Sequence, residues 1–187
     1  MPIVALALAA LLQSAAPAPT HSFDRNSKLI NNPGAEWIVY GPDQTSKLLP
    51  TGGPQNYPAY EVNVTKAGRN SWDDGAVSVI PKPINAGDVI LIALYIREPG
   101  LGDGQSETLP LIGATGATAP YVGIAGAPAA ITNQWKLYFA SGKAPQAFPA
   151  GGAQVTVHLA SAPHIIEVGP ARVYDMGPDF DISRLPH

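Results

Sequence analysis

Trp72 and the paired carboxylates Asp73 and Asp74 lie together in the stretch AGRNSWDDGAV (67–77), and no other segment offers as much chemistry. Two carboxyl groups can hydrolyse a glycosidic bond when they flank it at roughly 5 to 9.5 Å. Asp73 and Asp74 are neighbours, so on an extended chain they point to opposite faces, and Asp-Asp-Gly is equally ordinary turn chemistry. A catalytic dyad is not expected here, and no catalytic residue is assigned. There is no G-x-S-x-G nucleophile elbow. ASGKA (140–144) lacks the first glycine and the following helix of a phosphate loop. The histidines, His21, His158, His164 and His187, are scattered, with no H-x-x-x-H pair.

Sugar recognition asks for other parts: an aromatic ring over the apolar face of a pyranose, and a few polar groups placed for its hydroxyls. Trp72 with Asn70 and Asp73 could form such a platform at a rim. Further polar and aromatic pairs fall on what strand alternation makes the non-core faces: Glu61 and Asn63, Tyr95 and Arg97, Lys136 and Tyr138, Thr156 and His158. The competing reading is that polar residues alternate outward on any sandwich while aromatics fill its core. His158 has the same two readings, a solvent-facing or hydrogen-bonded histidine or a ligand contact.

The elements that must position these residues follow a period of two. YEVNV (60–64) sets Tyr60, Val62 and Val64 against Glu61 and Asn63, and QVTVHLA (154–160) sets Val155, Val157 and Leu159 against Thr156 and His158. QWKLYFA (134–140) sets Trp135, Leu137 and Phe139 against Lys136 and Tyr138, while DVILIALYIR (88–97) is apolar on both faces, as a central strand should be. HIIEVGPARVYDMG (164–177) reads as a last strand bent at Gly169-Pro170. With 19 glycines and 20 prolines concentrated in the segments between, the pattern is about nine short strands joined by turns. The expected fold is all-β, a two-sheet antiparallel jelly-roll sandwich.

At 187 residues one domain is expected, spanning 21–177. Residues 1–20 read as a signal peptide and a Pro/Ala spacer, since IVALALAALL (3–12) is an apolar run too short to span a bilayer comfortably, although no Lys or Arg precedes it. Export to the periplasm or the extracellular space is the expectation. Residues 178–187 read as a tail. The net charge of −3 and the lack of any Lys/Arg cluster argue against nucleic acid as a partner. The absence of cysteine excludes disulfides, thiol catalysis and thiolate metal sites.

The order NNPGAEW, VTKAGRNSWDDGAV, INAGDVILIALYIR, QWKLYFAS, GGAQVTVHLA and HIIEVGPARVYDMG resembles the cenC-type carbohydrate-binding modules of families four, nine and twenty-two, which have a galactose-binding-like jelly roll. More closely, it resembles the module that precedes the catalytic barrel of some bacterial family-ten, xylanase-like glycoside hydrolases. Asn70, Trp72 and Asp73 match an N-x-W-D motif, and residues 179–186 match the linker into the enzyme. The resemblance implies a non-catalytic module that binds a plant-type, xylan-like polysaccharide or oligosaccharide, with Trp72, Asn70, Asp73, Asn63, Tyr95, Arg97, Tyr138 and His158 as candidate contacts. It also implies a glycoside hydrolase catalytic domain as a partner. Many such modules hold a structural calcium, for which Glu36 and Asp175 are the candidate ligands here. Gly169 stands where an acidic ligand would fall, so the set is incomplete. Two other readings remain: a protein-interaction sandwich without a sugar site, and a fragment of a family-ten-like hydrolase. An enzyme acting alone would need carboxylates converging across a cleft, for instance among Glu61, Asp73 and Glu107.

Overall fold

A computed structural model describes residues 28–34 and 36–186. The leader and spacer expected over 1–20 lie outside the described residues, as do His21 and His187. The described residues form ten strands: β1 (Ile38–Tyr40), β2 (Gln44–Leu49), β3 (Ala59–Val64), β4 (Gly75–Ile80), β5 (Val89–Arg97), β6 (Glu107–Gly116), β7 (Gly123–Ile131), β8 (Lys136–Lys143), β9 (Ala153–His158) and β10 (His164–Asp175). They make two five-stranded antiparallel sheets, ordered β1-β4-β9-β6-β7 and β2-β3-β10-β5-β8. This is the all-β sandwich expected from the alternation. No helix among the described residues is long and apolar enough to cross a membrane.

The core lies between the sheets. Val62 and Val64 from β3, Ile90, Ile92, Leu94 and Ile96 from β5, and Ile166, Val168 and Val173 from β10 meet Ile80, Leu109, Ile112, Val155 and Val157 from the other sheet. Each is one side of a period-two strand, so burying one face of each sheet removes these side chains from water together.

One strand faces the other way from its sequence reading. In β8 Tyr138 lies opposite the core residue Leu94, and Leu137 lies opposite Tyr95. Tyr138 therefore packs inward, and its hydroxyl donates to Ala130 O on β7 at 3.0 Å. Trp135, Leu137 and Phe139 take the outer face. The physical reason is a second, smaller apolar layer outside this sheet: Phe139 packs with Val89, Leu91, Met176, Phe180 and Leu185. The chain end thus lies back against β5, β8 and β10, with a short 3-10 turn at Ile182–Arg184 capped by the Asp181 carboxylate. A strand covered on both sides gives alternation no polar face by which to choose its inside.

β10 does bend where Gly169-Pro170 suggested, with a register shift against β5 between Val168 and Ala171. Beyond the shift its free edge is completed by the segment before β1. Asn31 Oδ1 accepts from Val173 N at 2.8 Å, and Asn31 Nδ2 donates to Ala171 O at 2.9 Å. Gly169 has a steric reason: a Cβ there would stand 3.0 Å from the Trp135 ring and 3.2 Å from Tyr95 Cβ.

Candidate functional site

The turn between β3 and β4 (65–74) is built by its own acids. Asp73 Oδ2 accepts from the amides of Arg69 at 2.8 Å and Asn70 at 3.0 Å, and its Oδ1 accepts from Asn70 Nδ2 at 3.2 Å. These bonds, the Asn70 backbone amide first, hold the Asp73 carboxyl below its ordinary value. Asp74 turns inward instead, fully buried, and its Oδ1 accepts from Asp43 N at 3.1 Å. The turn is also tied to the segment after β9: Gly68 N donates to Ala160 O, Ala160 N to Ser71 O and Leu159 N to Asp74 O, all within 3.0 Å. Between these anchors Trp72 projects outward, 56% exposed. Such exposure for the largest side chain is informative in a way that an exposed leucine is not.

Trp72 edges a cleft of about 820 Å³ over the outer face of the β1-β4-β9-β6-β7 sheet. Register explains its shape. Three rows of outward residues cross the sheet: Tyr40, Gly75 and His158; then Ile38, Val77, Thr156 and Gly113; then Val79, Gln154, Thr115 and Gly123. The glycines carry nothing into the space above. Gly75 is required there, because a Cβ would stand 2.5 Å from Tyr40 Oη and 2.7 Å from Val157 O, and its absence lets the Tyr40 ring lie across the sheet. At the opposite side, the β6–β7 loop carries Tyr121, 58% exposed and held at φ 52, an uncommon backbone conformation for an aromatic residue. Trp72 and Tyr121 are thus both exposed rings that line one mostly apolar cleft.

Polar groups along the cleft are few. His158 lies 5.9 Å from Trp72 between ring centroids, edge-on at 62°, and its Nδ1 is 3.2 Å from Ser71 Oγ. Burial pushes the His158 imidazole below its usual pKa, which favours the neutral ring, one donor and one acceptor. Gln154 and Thr156 point out from the same strand. Burial first, then Tyr121, Asp74 and Asp73, push the Tyr40 hydroxyl upward, so it stays neutral. Among the described residues no carboxylate lines the cleft.

The sequence-designated residues divide into groups. Trp72 and His158 meet at the cleft, while Asn70 and Asp73 shape the turn beneath Trp72. Asn63, Tyr95 and Arg97 sit on the outer face of the other sheet, where Arg97 Nε donates to Glu167 at 2.7 Å and its guanidinium lies 4.9 Å from the Trp135 ring centre. Tyr138 faces the core. Glu61, Asp73 and Glu107 do not converge: Glu61 is on β3, Asp73 is in the turn, and Glu107 Oε1 lies against His164 at the start of β6. Glu36 and Asp175 are not brought together either. Trp37, beside Glu36, binds Gly169 O at 3.1 Å, and Asp175 lies six residues further along β10, roughly 20 Å at strand rise. Asp175 instead accepts from Gly177 N, with its carboxyl pushed up by burial and then by Asp88. Glu36 and Asp175 therefore do not fit a shared calcium. Among the cleft residues that the sequence reading did not designate are Tyr40, Tyr121 and Gln154. Gln154 shares the alternation of Thr156 and His158, so it was within reach, whereas Tyr121 sits in a loop with no periodic signal.

No family model and no curated protein matches the chain. Its fold matches solved structures at low identity. An arabinose-bound family GH51 α-L-arabinofuranosidase aligns with TM-score 0.59 and 15% identity over 82% of this chain. The CBM22-1–GH10 portion of Clostridium thermocellum endo-1,4-beta-D-xylanase 10B, complexed with xylohexaose, gives 0.53 and 16% over 80%. The chain spans only 27% and 28% of these two proteins. The N-terminal cellulose-binding domain of Cellulomonas fimi beta-1,4-glucanase C is similar over most of both chains, 78% of this one and 91% of that one, with TM-score 0.54 and 17% identity. The chain has a fold found in carbohydrate-binding modules, and in fold it is similar to the CBM4 and CBM22 modules.

Proposed function

We propose that the chain is an exported, non-catalytic carbohydrate-binding module that holds a stretch of plant-type polysaccharide, with a xylan-type backbone as the first candidate. The observation that carries this reading is the cleft itself: the exposed rings of Trp72 and Tyr121 line a mostly apolar trough, with Gln154, Thr156 and the neutral His158 supplying hydrogen bonds. Flat rings cover the apolar faces of pyranoses, and a few polar groups select among their hydroxyls. The lining residues include no Asp or Glu, whereas glycoside hydrolysis by the usual route needs two. The bound xylohexaose of the structurally similar xylanase favours xylan as the first ligand to try, and the same likeness favours a glycoside hydrolase as the module's partner.

The test is a calorimetric titration of the chain with soluble xylan, xylohexaose, β-glucan and mannan. Saturable heat with at least one of them, with no reducing ends released, is the expected result. An absence of heat with all four would overturn the proposal in favour of a protein-interaction sandwich.

A further inference from the structure

At one end of the sandwich three strand ends from both sheets converge: Glu98 directly after β5, Glu107 opening β6 and His164 opening β10. One ligand atom from each lies within 4.8 Å of the other two. The His164 side chain is only 1% exposed and has both ring nitrogens engaged, with Nε2 2.8 Å from Leu159 O and Nδ1 2.8 Å from Glu107 Oε1. A carbonyl can only accept, so Nε2 carries a hydrogen. With that hydrogen on Nε2, the 2.8 Å approach of Nδ1 to a carboxylate oxygen requires a proton or a cation between the two atoms. Glu98 is an independent sign. It is 7% exposed, and its Oε2 is buried with no hydrogen-bond partner. A buried, unpaired carboxylate oxygen costs free energy unless a proton or a cation compensates it.

We propose that Glu98, Glu107 and His164 form a binding site for a divalent transition metal of the zinc type. One imidazole nitrogen and two carboxylate oxygens suit zinc, which takes such ligands in four-coordinate sites and leaves a fourth position for water. Calcium and magnesium favour six or more oxygens and gain little from imidazole. A ligand histidine typically donates its other N–H to a backbone carbonyl, as His164 does to Leu159, and this fixes the tautomer that presents the lone pair. Tetrahedral zinc with bonds of about 2.05 Å separates its ligand atoms by roughly 3.3 Å. The His164–Glu107 pair, at 2.8 Å, must therefore open by roughly 0.5 Å, and any wider separation within the 4.8 Å group must close, by side-chain shifts on the order of an ångström. Glu107 is partly exposed and gives the ion a way in. The loop behind Leu159 is also the one that anchors the Trp72 turn through Ala160 and Leu159, and a metal here would clamp both sheets and that turn.

The test uses the full chain, stripped with EDTA and titrated with zinc chloride, following heat, thermal midpoint and metal content after gel filtration. The expected result is saturable heat, one zinc per chain and a raised midpoint. Glu98→Gln keeps the side-chain shape and should weaken zinc by at least about tenfold. Glu107→Gln should do the same, while a double His21→Gln/His187→Gln variant should bind as the parent does. Failure to bind zinc would overturn the site, as would binding unchanged in Glu98→Gln or binding lost in the double variant. None of these outcomes depends on whether a glycan binds.

Discussion

Replacing Trp72 by alanine separates a binding platform from a core residue, because the two roles predict opposite effects on affinity and stability. A tryptophan side chain offers roughly 200 Å² of surface. With 56% of the residue exposed, roughly 110 Å² of ring is open to a ligand, and a stacked pyranose covers about half of it. At about 25 cal/mol per Å², that contact contributes about 1.4 kcal/mol, a tenfold change in affinity. The turn that carries Trp72 is held by Asp73, Asp74, Asn70 and the backbone bonds to Ala160, none of which the substitution removes. What the free protein loses is the edge contact with His158, on the order of 1 kcal/mol or less. Titration calorimetry against the tightest-binding glycan should show at least about a tenfold weaker dissociation constant, and thermal unfolding a small shift. Unchanged affinity, or a collapse of the unfolding midpoint, would refute the assignment of Trp72 to the rim.

Arg97→Ala lies on the opposite sheet face and should leave glycan affinity unchanged in the same calorimeter, while stability falls through loss of the Glu167 pair and the Trp135 contact. Tyr138→Phe should cost about 1 kcal/mol in denaturant unfolding, for the bond to Ala130 O, again with no change in affinity. Asp73 has a folded pKa below its ordinary 3.8, so its contribution to stability is present above that value and is lost as pH falls through the folded pKa. The acid limb of an unfolding-midpoint profile should flatten in Asp73→Asn. His158 has its folded pKa below 6.5, so stability due to the neutral ring is present above 6.5 and is lost as pH falls through the folded value. An NMR titration of the ring should show a midpoint below 6.5, and a midpoint above it would mean that a nearby carboxylate outweighs burial.

Sequence period carried the sandwich a long way. β3 and β9 follow their alternation, β5 is an interior strand as its two apolar faces suggested, and β10 bends at Gly169-Pro170 where turn chemistry placed a break. β6 and β7 escaped notice because Pro110 and Pro128 interrupt them. β6 absorbs its proline at a register shift between Leu109 and Ile112, and β7 carries its own on an edge strand. In β8 alternation was visible but its direction was not, because the outer face of that sheet buries Phe139 under Leu185 and Met176.

Period two is a local property: each residue's face relative to its neighbours is written in the chain, and Thr156 and His158 were readable on those terms, whereas Trp72, in the turn between β3 and β4, stood out only as an aromatic ring among small and polar residues. Which of two sheets a face belongs to is set by the strand order β1-β4-β9-β6-β7, through hydrogen bonds between residues far apart in sequence. That order brings His158 to Tyr40 across Gly75 and puts Tyr121 on the cleft with Trp72, and it places Tyr95, Arg97 and Asn63 on the other side of the molecule. The same long-range pairing gathers Glu98, Glu107 and His164 at one end, a cluster that spacing along the chain does not reveal. Alternation sorts residues into inside and outside; only the packed sheets decide which outside residues share a site.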